Sequence, residues 1–150
     1  MHVTLDEITP GLVVRLDTTA VRTLGGSQTN AVLGPEGDRA VVGSHDFLVV
    51  GLDVATARCT AVPLFAKTAV GNQPLENGKK SGLEDQWIET ETFFSRWQHW
   101  RLPLATVVAA SGEDMATMQT RRRYAAADRS ALDDIKNWEG RNRAAYRDAH

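Results

Sequence analysis

The run from Gly43 to Lys67, GSHDFLVVGLDVATARCTAVPLFAK, limits the folds open to this chain more than any other stretch. Phe47 to Val50 is a short, continuous apolar run. Cys59 to Phe65 is mostly apolar through Ala61, Val62, Leu64 and Phe65, and the polar turn Asp53 to Arg58 lies between the two. Apolar runs this short, β-branched in part and bounded by Gly51 and Pro63, suit buried strands of a small β structure better than helices, which need about ten residues or more. The stretch is therefore predicted to be a hairpin at the centre of the core.

With 150 residues, 42% of them hydrophobic, the chain can bury one core with a helical appendage. A net charge of −2, from 17 basic and 19 acidic residues, supplies no global field for nucleic acid or acidic lipid, so any such binding needs a local patch. Cys59 is the single cysteine, which excludes an intrachain disulfide and a multi-cysteine zinc site and suits a reducing compartment. The N-terminus lacks a basic start followed by an apolar stretch, and no run of about 20 apolar residues occurs. A cytoplasmic protein without membrane association is expected. His2, His45, His99 and His150 are too scattered to suggest zinc, so neither a metal nor a cofactor is expected.

In chain order, Pro10-Gly11 opens a first strand, Leu12 to Leu16, and Asp17 to Gly26 reads as a mobile loop ending in a glycine pair. A second hairpin is predicted from Ala31-Val32-Leu33 and Arg39 to Val42 around Gly34 to Asp38. Thr68 to Leu83 is a long polar connection. In Gln86 to Leu104, Phe93, Trp97 and Trp100 have the i, i+4, i+7 spacing of one helical face. Leu104 to Ala110 is read as a last strand. Ser111 caps a helix over about 113 to 126, and a second helix follows from Ser130 with a Leu132, Ile135 and Trp138 stripe.

Pro10-Gly11 leading into a strand, Gly26-Ser27-Gln28 in a loop, the strand His45 to Gly51, a turn and then Val62-Pro63-Leu64 follow one another in an order and spacing that resemble the MazF/PemK-type toxins over the first hundred residues or so. The expected fold is accordingly mainly β with α: a small antiparallel SH3-like (MazF/PemK-like) barrel over 1–110 and a C-terminal helical extension over 111–150. The resemblance further implies RNA as ligand, metal-independent endoribonuclease activity, a homodimer and an antitoxin protein as partner. Two positions depart from the family pattern. His45-Asp46 stands where an Arg-Pro step precedes the second hydrophobic strand, and Phe65-Ala66 stands where Ser or Thr follows the Val-Pro-hydrophobic step.

Breaking an RNA backbone needs a base, an acid and a cation for the developing phosphorane charge. The candidates are His45 as base, His99 as acid and Arg96 as clamp, since imidazoles titrate near neutrality. Lys67, Lys79, Lys80, Trp97, Trp100 and Arg101 are the candidate nucleic-acid contacts, combining cations with stacking surfaces. The triple Arg121-Arg122-Arg123 reads as a solvated helix face that could meet phosphate. A noncatalytic barrel that binds a protein or nucleic acid is the alternative function.

Overall fold

The structure, a computed structural model, describes residues 2–31, 40–67, 72–82, 85–95, 98–111, 121–137 and 146–149. It is a mixed α/β fold built on a mostly antiparallel sheet. Ten strands are described: β1 (Val13–Asp17), β2 (Gln28–Thr29), β3 (Ser44–Asp53), β4 (Arg58–Phe65), β5 (Asn72–Pro74), β6 (Lys80–Ser81), β7 (Phe93–Ser95), β8 (Trp100–Pro103), β9 (Arg123–Tyr124) and β10 (Arg147–Asp148). The four described helices are α1 (Thr18–Leu24), α2 (Asp85–Glu89), α3 (Leu104–Ala110) and α4 (Arg129–Lys136). The main sheet runs β1-β3-β4-β8-β2-β10, with β7 also pairing β4 and carrying β5, while β6 and β9 form a separate pair. Among the described residues no pairing joins the two ends of that path, so no closed barrel forms.

The central hairpin is β3 and β4, with Phe47 opposite Pro63 and Asp53 opposite Arg58, and a register shift between Val49 and Gly51. Its apolar runs are continuous because both faces of the sheet are covered. Val14, Leu16, Phe47, Val49, Ala61, Trp100 and Leu102 pack on one face with Val21 and Val107. Val13, Leu48, Val50, Val62 and Leu64 pack on the other with Trp87, Phe94, Tyr124, Leu132 and Ile135.

Several local expectations give way to tertiary context. Thr18 to Leu24, expected as loop, is a helix whose first turn is capped by Asp17 accepting from the Thr19 amide at 2.9 Å. Leu104 to Ala110, expected as a strand, is a helix that starts after Pro103 and buries Thr106, Val107 and Ala110. Alanine-rich segments favour helix, and these positions share one helical stripe. The aromatic stretch expected as a helical face divides instead into α2, β7 and β8, because Trp100 is needed edge-on against Phe47, their ring centroids 5.8 Å apart. Residues 32–39 of the expected second hairpin lie outside the described residues, and Ala40 to Val42 forms no strand. Most of the expected 113–126 helix also lies outside them, but its described end is extended as β9.

Residues 121–137 and 146–149 are built into the body. β9 pairs β6, β10 pairs β2, and Leu132 and Ile135 complete the second core. Arg121 donates to Glu7 at 2.7 Å with both side chains buried, tying this segment to the N-terminal turn. Gly11, at φ +102°, lets the chain pass so close to Tyr124 that an added Cβ would lie 2.9 Å from the Tyr124 carbonyl oxygen. The Tyr124 amide in turn donates to the Gly11 carbonyl at 2.8 Å.

Candidate functional site

Strand register places one row of residues across the second face of the sheet. Gly51 stands opposite Thr60, Thr60 opposite Arg101, Arg101 opposite Gln28 and Gln28 opposite Asp148. A second row runs Asp53, Arg58, Pro103. Side chains two apart share a face, so Arg58 and Thr60 on β4 project together. Lys136, in the last turn of α4, lies over Gly51, where an added Cβ would come within 2.7 Å of its Cδ. Tyr146 covers Arg101, the guanidinium carbon 3.7 Å from the ring centroid. Gln28, Asp53, Arg58, Thr60, Arg101, Lys136 and Tyr146 line an open cleft of about 480 Å³, together with Thr56 and His99.

The charge in this cleft is unbalanced. Arg58, Arg101 and Lys136 line it against Asp53. Among the described residues no carboxylate pairs with any of the three cations. Arg58 instead donates to the Gly26 carbonyl at 2.7 Å, and Arg101 is held by its stack on Tyr146. The backbone beneath is fixed at His99, whose amide donates to Asn30 Oδ1 at 2.7 Å and whose carbonyl accepts from Thr29 Oγ1 at 2.9 Å. An arrangement of this kind can bind an anion beside a flat ring, because Arg offers a planar donor fork and Lys a mobile point charge.

A second cleft of about 370 Å³ opens between the β3–β4 end of the sheet and α2, with Phe65 and Trp87 among its walls. It also holds two cations, but Arg122 forks onto Asp46 at 3.0 and 3.2 Å and Arg15 approaches the same carboxylate at 3.5 Å. With Glu91 also present, its named charges cancel. This cleft contains Asp46, Phe65 and Ala66, the positions at which the chain departs from the toxin pattern.

The sequence-predicted residues are dispersed. His45 packs edge-on against Phe65 and Phe47, at ring centroids 5.1 and 6.0 Å away. Burial holds its imidazole below the ordinary histidine range, against the opposing pull of the Leu64 backbone and Asp46. His99 lines the first cleft with Arg101, while Trp100 between them turns to the opposite core and Phe47. His45 lines neither cleft whereas His99 lines the first, so neither cleft brings the two imidazoles together. Arg96 and Trp97 lie outside the described residues.

Trp100 is wholly buried and offers no stacking surface. Lys67 is exposed and lines neither cleft. Lys79 pairs with Asp128 at 3.2 Å and Glu76 at 3.4 Å. Lys80 is buried, its ammonium donating to the Trp87 and Thr90 carbonyls and to Thr92 Oγ1. Desolvation lowers the affinity of that ammonium for its proton. Of the proposed nucleic-acid contacts among the described residues, Arg101 alone reaches the first cleft.

Arg58, Thr60, Lys136 and Tyr146 were not singled out from the sequence. Alternation along β4 placed Arg58 and Thr60 on one face, but nothing local linked that face to α4 or to Tyr146. The Cys59 thiol is buried and its pKa is pushed up to about 12, so it is no nucleophile. Among the described residues no three His, Cys, Asp or Glu side chains gather as a metal site requires, and no helix is long and apolar enough to cross a membrane. No family model matches the chain, and comparison with curated proteins and with solved structures returns no match.

Proposed function

We propose that this chain binds single-stranded RNA through the cleft between β4, β8, α4 and Tyr146, on a sheet that is an opened variant of an SH3-like barrel related to the MazF/PemK-type toxins. The observation that carries the reading is the convergence of Arg58, Arg101 and Lys136, none of them paired with a carboxylate among the described residues, beside the Tyr146 ring. Cations track a phosphate backbone and an aromatic face takes an unstacked base, a combination suited to single strands. The register shift at Val49/Gly51 and the sharing of β4 between β8 and β7 support the barrel-like part of the reading, since bulged and shared strands occur where sheets bend.

The proposal is of binding without cleavage by a His45 and His99 pair. An acid and a base must reach opposite sides of one phosphodiester, and His45 does not line the cleft that His99 lines. The test is fluorescence anisotropy with an unstructured single-stranded RNA of about 12 nucleotides and a duplex of equal length. Saturable binding is expected for the single strand, weakening steeply between about 50 and 200 mM salt and reduced by Arg101→Ala. Absence of binding at low salt, or binding indifferent to Arg101→Ala, rejects the reading.

A further inference from the structure

Asp53 is the exception in the cationic cleft: among the described residues its carboxylate has no cationic partner. It stands directly opposite Arg58 in the β3–β4 register, the obvious place for a cross-strand ion pair. The pair is not made: the Arg58 guanidinium turns to the Gly26 carbonyl, and among the described residues Asp53 has no cation within salt-bridge range. Among the described residues its one hydrogen bond is the turn contact that Oδ1 accepts from the Thr56 amide at 3.3 Å, which orients the carboxylate at the hairpin turn, and Oδ2 accepts none. Asp53 is exposed and lines the same cleft as Arg101 and Tyr146. A bare carboxylate there repels the phosphates the three cations attract. It is useful to a nucleic acid only where it meets a hydrogen-bond donor, which in RNA, apart from the ribose hydroxyls, means the edge of a base.

The four bases differ sharply at that edge. An ionised carboxylate is acceptor-only, with two oxygens able to receive two parallel donors. Guanine presents two adjacent donors, N1–H and the exocyclic N2 amine. Adenine and cytosine each present an amine next to a bare ring nitrogen, whose lone pair faces the carboxylate. Uracil presents a single N–H flanked by two carbonyls.

We propose that Asp53 makes the cleft selective for guanine, accepting from the N1–H and N2 amine of a base lying against the Arg101–Tyr146 stack while Arg58 and Lys136 hold the flanking phosphates. This inference rests on the RNA-binding reading above and adds the identity of the base. Thr60, a small side chain next to Arg101 in that row, also lines the cleft.

The experiment uses the full chain and four labelled single-stranded RNAs, uridine-rich and identical except for one central position that is G, A, C or U. Anisotropy titrations at fixed low salt are expected to show the G oligonucleotide bound roughly tenfold or more tightly than the other three, the size of one bidentate contact. Asp53→Asn retains an oxygen to accept from the Thr56 amide but replaces the other with a donor, so the G preference is expected to collapse to within about twofold. Unlabelled GMP is expected to compete better than AMP, CMP or UMP, which assigns the preference to the base itself. If wild type binds all four oligonucleotides equally while Arg101→Ala weakens all of them, guanine selectivity is overturned and RNA binding stands. If none binds, both fall. If Asp53→Asn keeps the G preference, with a thermal melt showing it folded, another residue reads the base and the role assigned to Asp53 is overturned.

Discussion

Arg121, Arg122 and Arg123 are contiguous, whereas Arg58, Arg101 and Lys136 come from two strands and a helix. By composition the first set is the better phosphate site. In space it is tied into the fold: Arg121 to the buried Glu7 carboxylate, Arg122 to Asp46, and Arg123 to the Thr9 hydroxyl at 3.3 Å. The scattered set converges on one cleft with no carboxylate pairing any member among the described residues. Arg121 and Arg122, already neutralised at short range by carboxylates, add little to a ligand's field, and Arg123 bonds a neutral hydroxyl and lines neither cleft, while a cation unpaired with a carboxylate beside low-dielectric walls adds much. On the proposed reading, which arginines matter for binding is a property of their partners and placement and not of their density along the chain.

The sharpest way to break this contrast is to remove one member of each set and measure stability. Arg121→Ala leaves Glu7 charged and buried without its guanidinium, a change that costs about 3–5 kcal/mol and is read as a lower urea midpoint. Arg101→Ala is expected to move the same midpoint by no more than about 0.5 kcal/mol, as for other surface substitutions. Equal losses would remove the distinction between structural and ligand-facing cations.

Affinity should show the reverse order. Replacing Arg58, Arg101 and Lys136 together by Ala is expected to weaken single-stranded RNA binding roughly a hundredfold at low salt and to flatten the salt dependence. Arg123→Ala should change it less than about threefold. A comparable loss from Arg123→Ala would mean that contiguity, not convergence on the cleft, selects the contacts.

Acid titration tests the side of the sheet that holds His45. Because burial lowers the folded-state pKa of His45 from its ordinary 6.5, the unfolded chain takes up the proton first. The His45 contribution is complete above about pH 6.5 and is lost as pH falls through the folded value. The melting temperature should therefore drop between pH 7.5 and 5.5, and His45→Phe should make that drop shallower. For Glu7, burial alone would raise the carboxyl pKa, but the Arg121 guanidinium and the Thr4 backbone amide outweigh it, and the net value is lowered. Its contribution is present above 4.5 and is lost only at more acidic pH, so the two groups occupy separate windows.

The smallest effect expected is a gain. Asp46→Asn removes the carboxylate shared by Arg15 and Arg122, and RNA affinity should rise about two- to threefold as the second cleft becomes positive. An unchanged affinity measured by the same anisotropy titration would show that pairing with Asp46 is not what silences it.

Legibility from the sequence followed the range of the determining interaction. β3 and β4 could be read because their apolar runs and the Asp53 to Arg58 turn are local, and the register of a hairpin follows from its turn. α1 carried a readable signal in the Asp17 cap, but the polar Thr18-Thr19 start and the Gly25-Gly26 end favoured a loop. α3 could not be separated from a strand by periodicity, since a seven-residue run of small and β-branched side chains fits both. Trp100 and Lys80 look like ligand contacts by residue type, yet burial against Phe47 in one case and three hydrogen bonds in the other assign them to the fold.

The amino-acid order by itself determined that a central β-hairpin exists, that both of its faces are apolar, and that charge could not act through any overall excess. Alternation, turn chemistry and composition act within a few residues, so no tertiary contact is needed to read them. Only the tertiary structure decided which cations line a cleft without a carboxylate pairing them among the described residues, that Tyr146 lies against Arg101, and that His99 lines this cleft while His45 does not. Those outcomes depend on strand pairings and helix placements linking residues tens of positions apart, and the physical quantity they set, the distance between charges, has no counterpart in sequence separation.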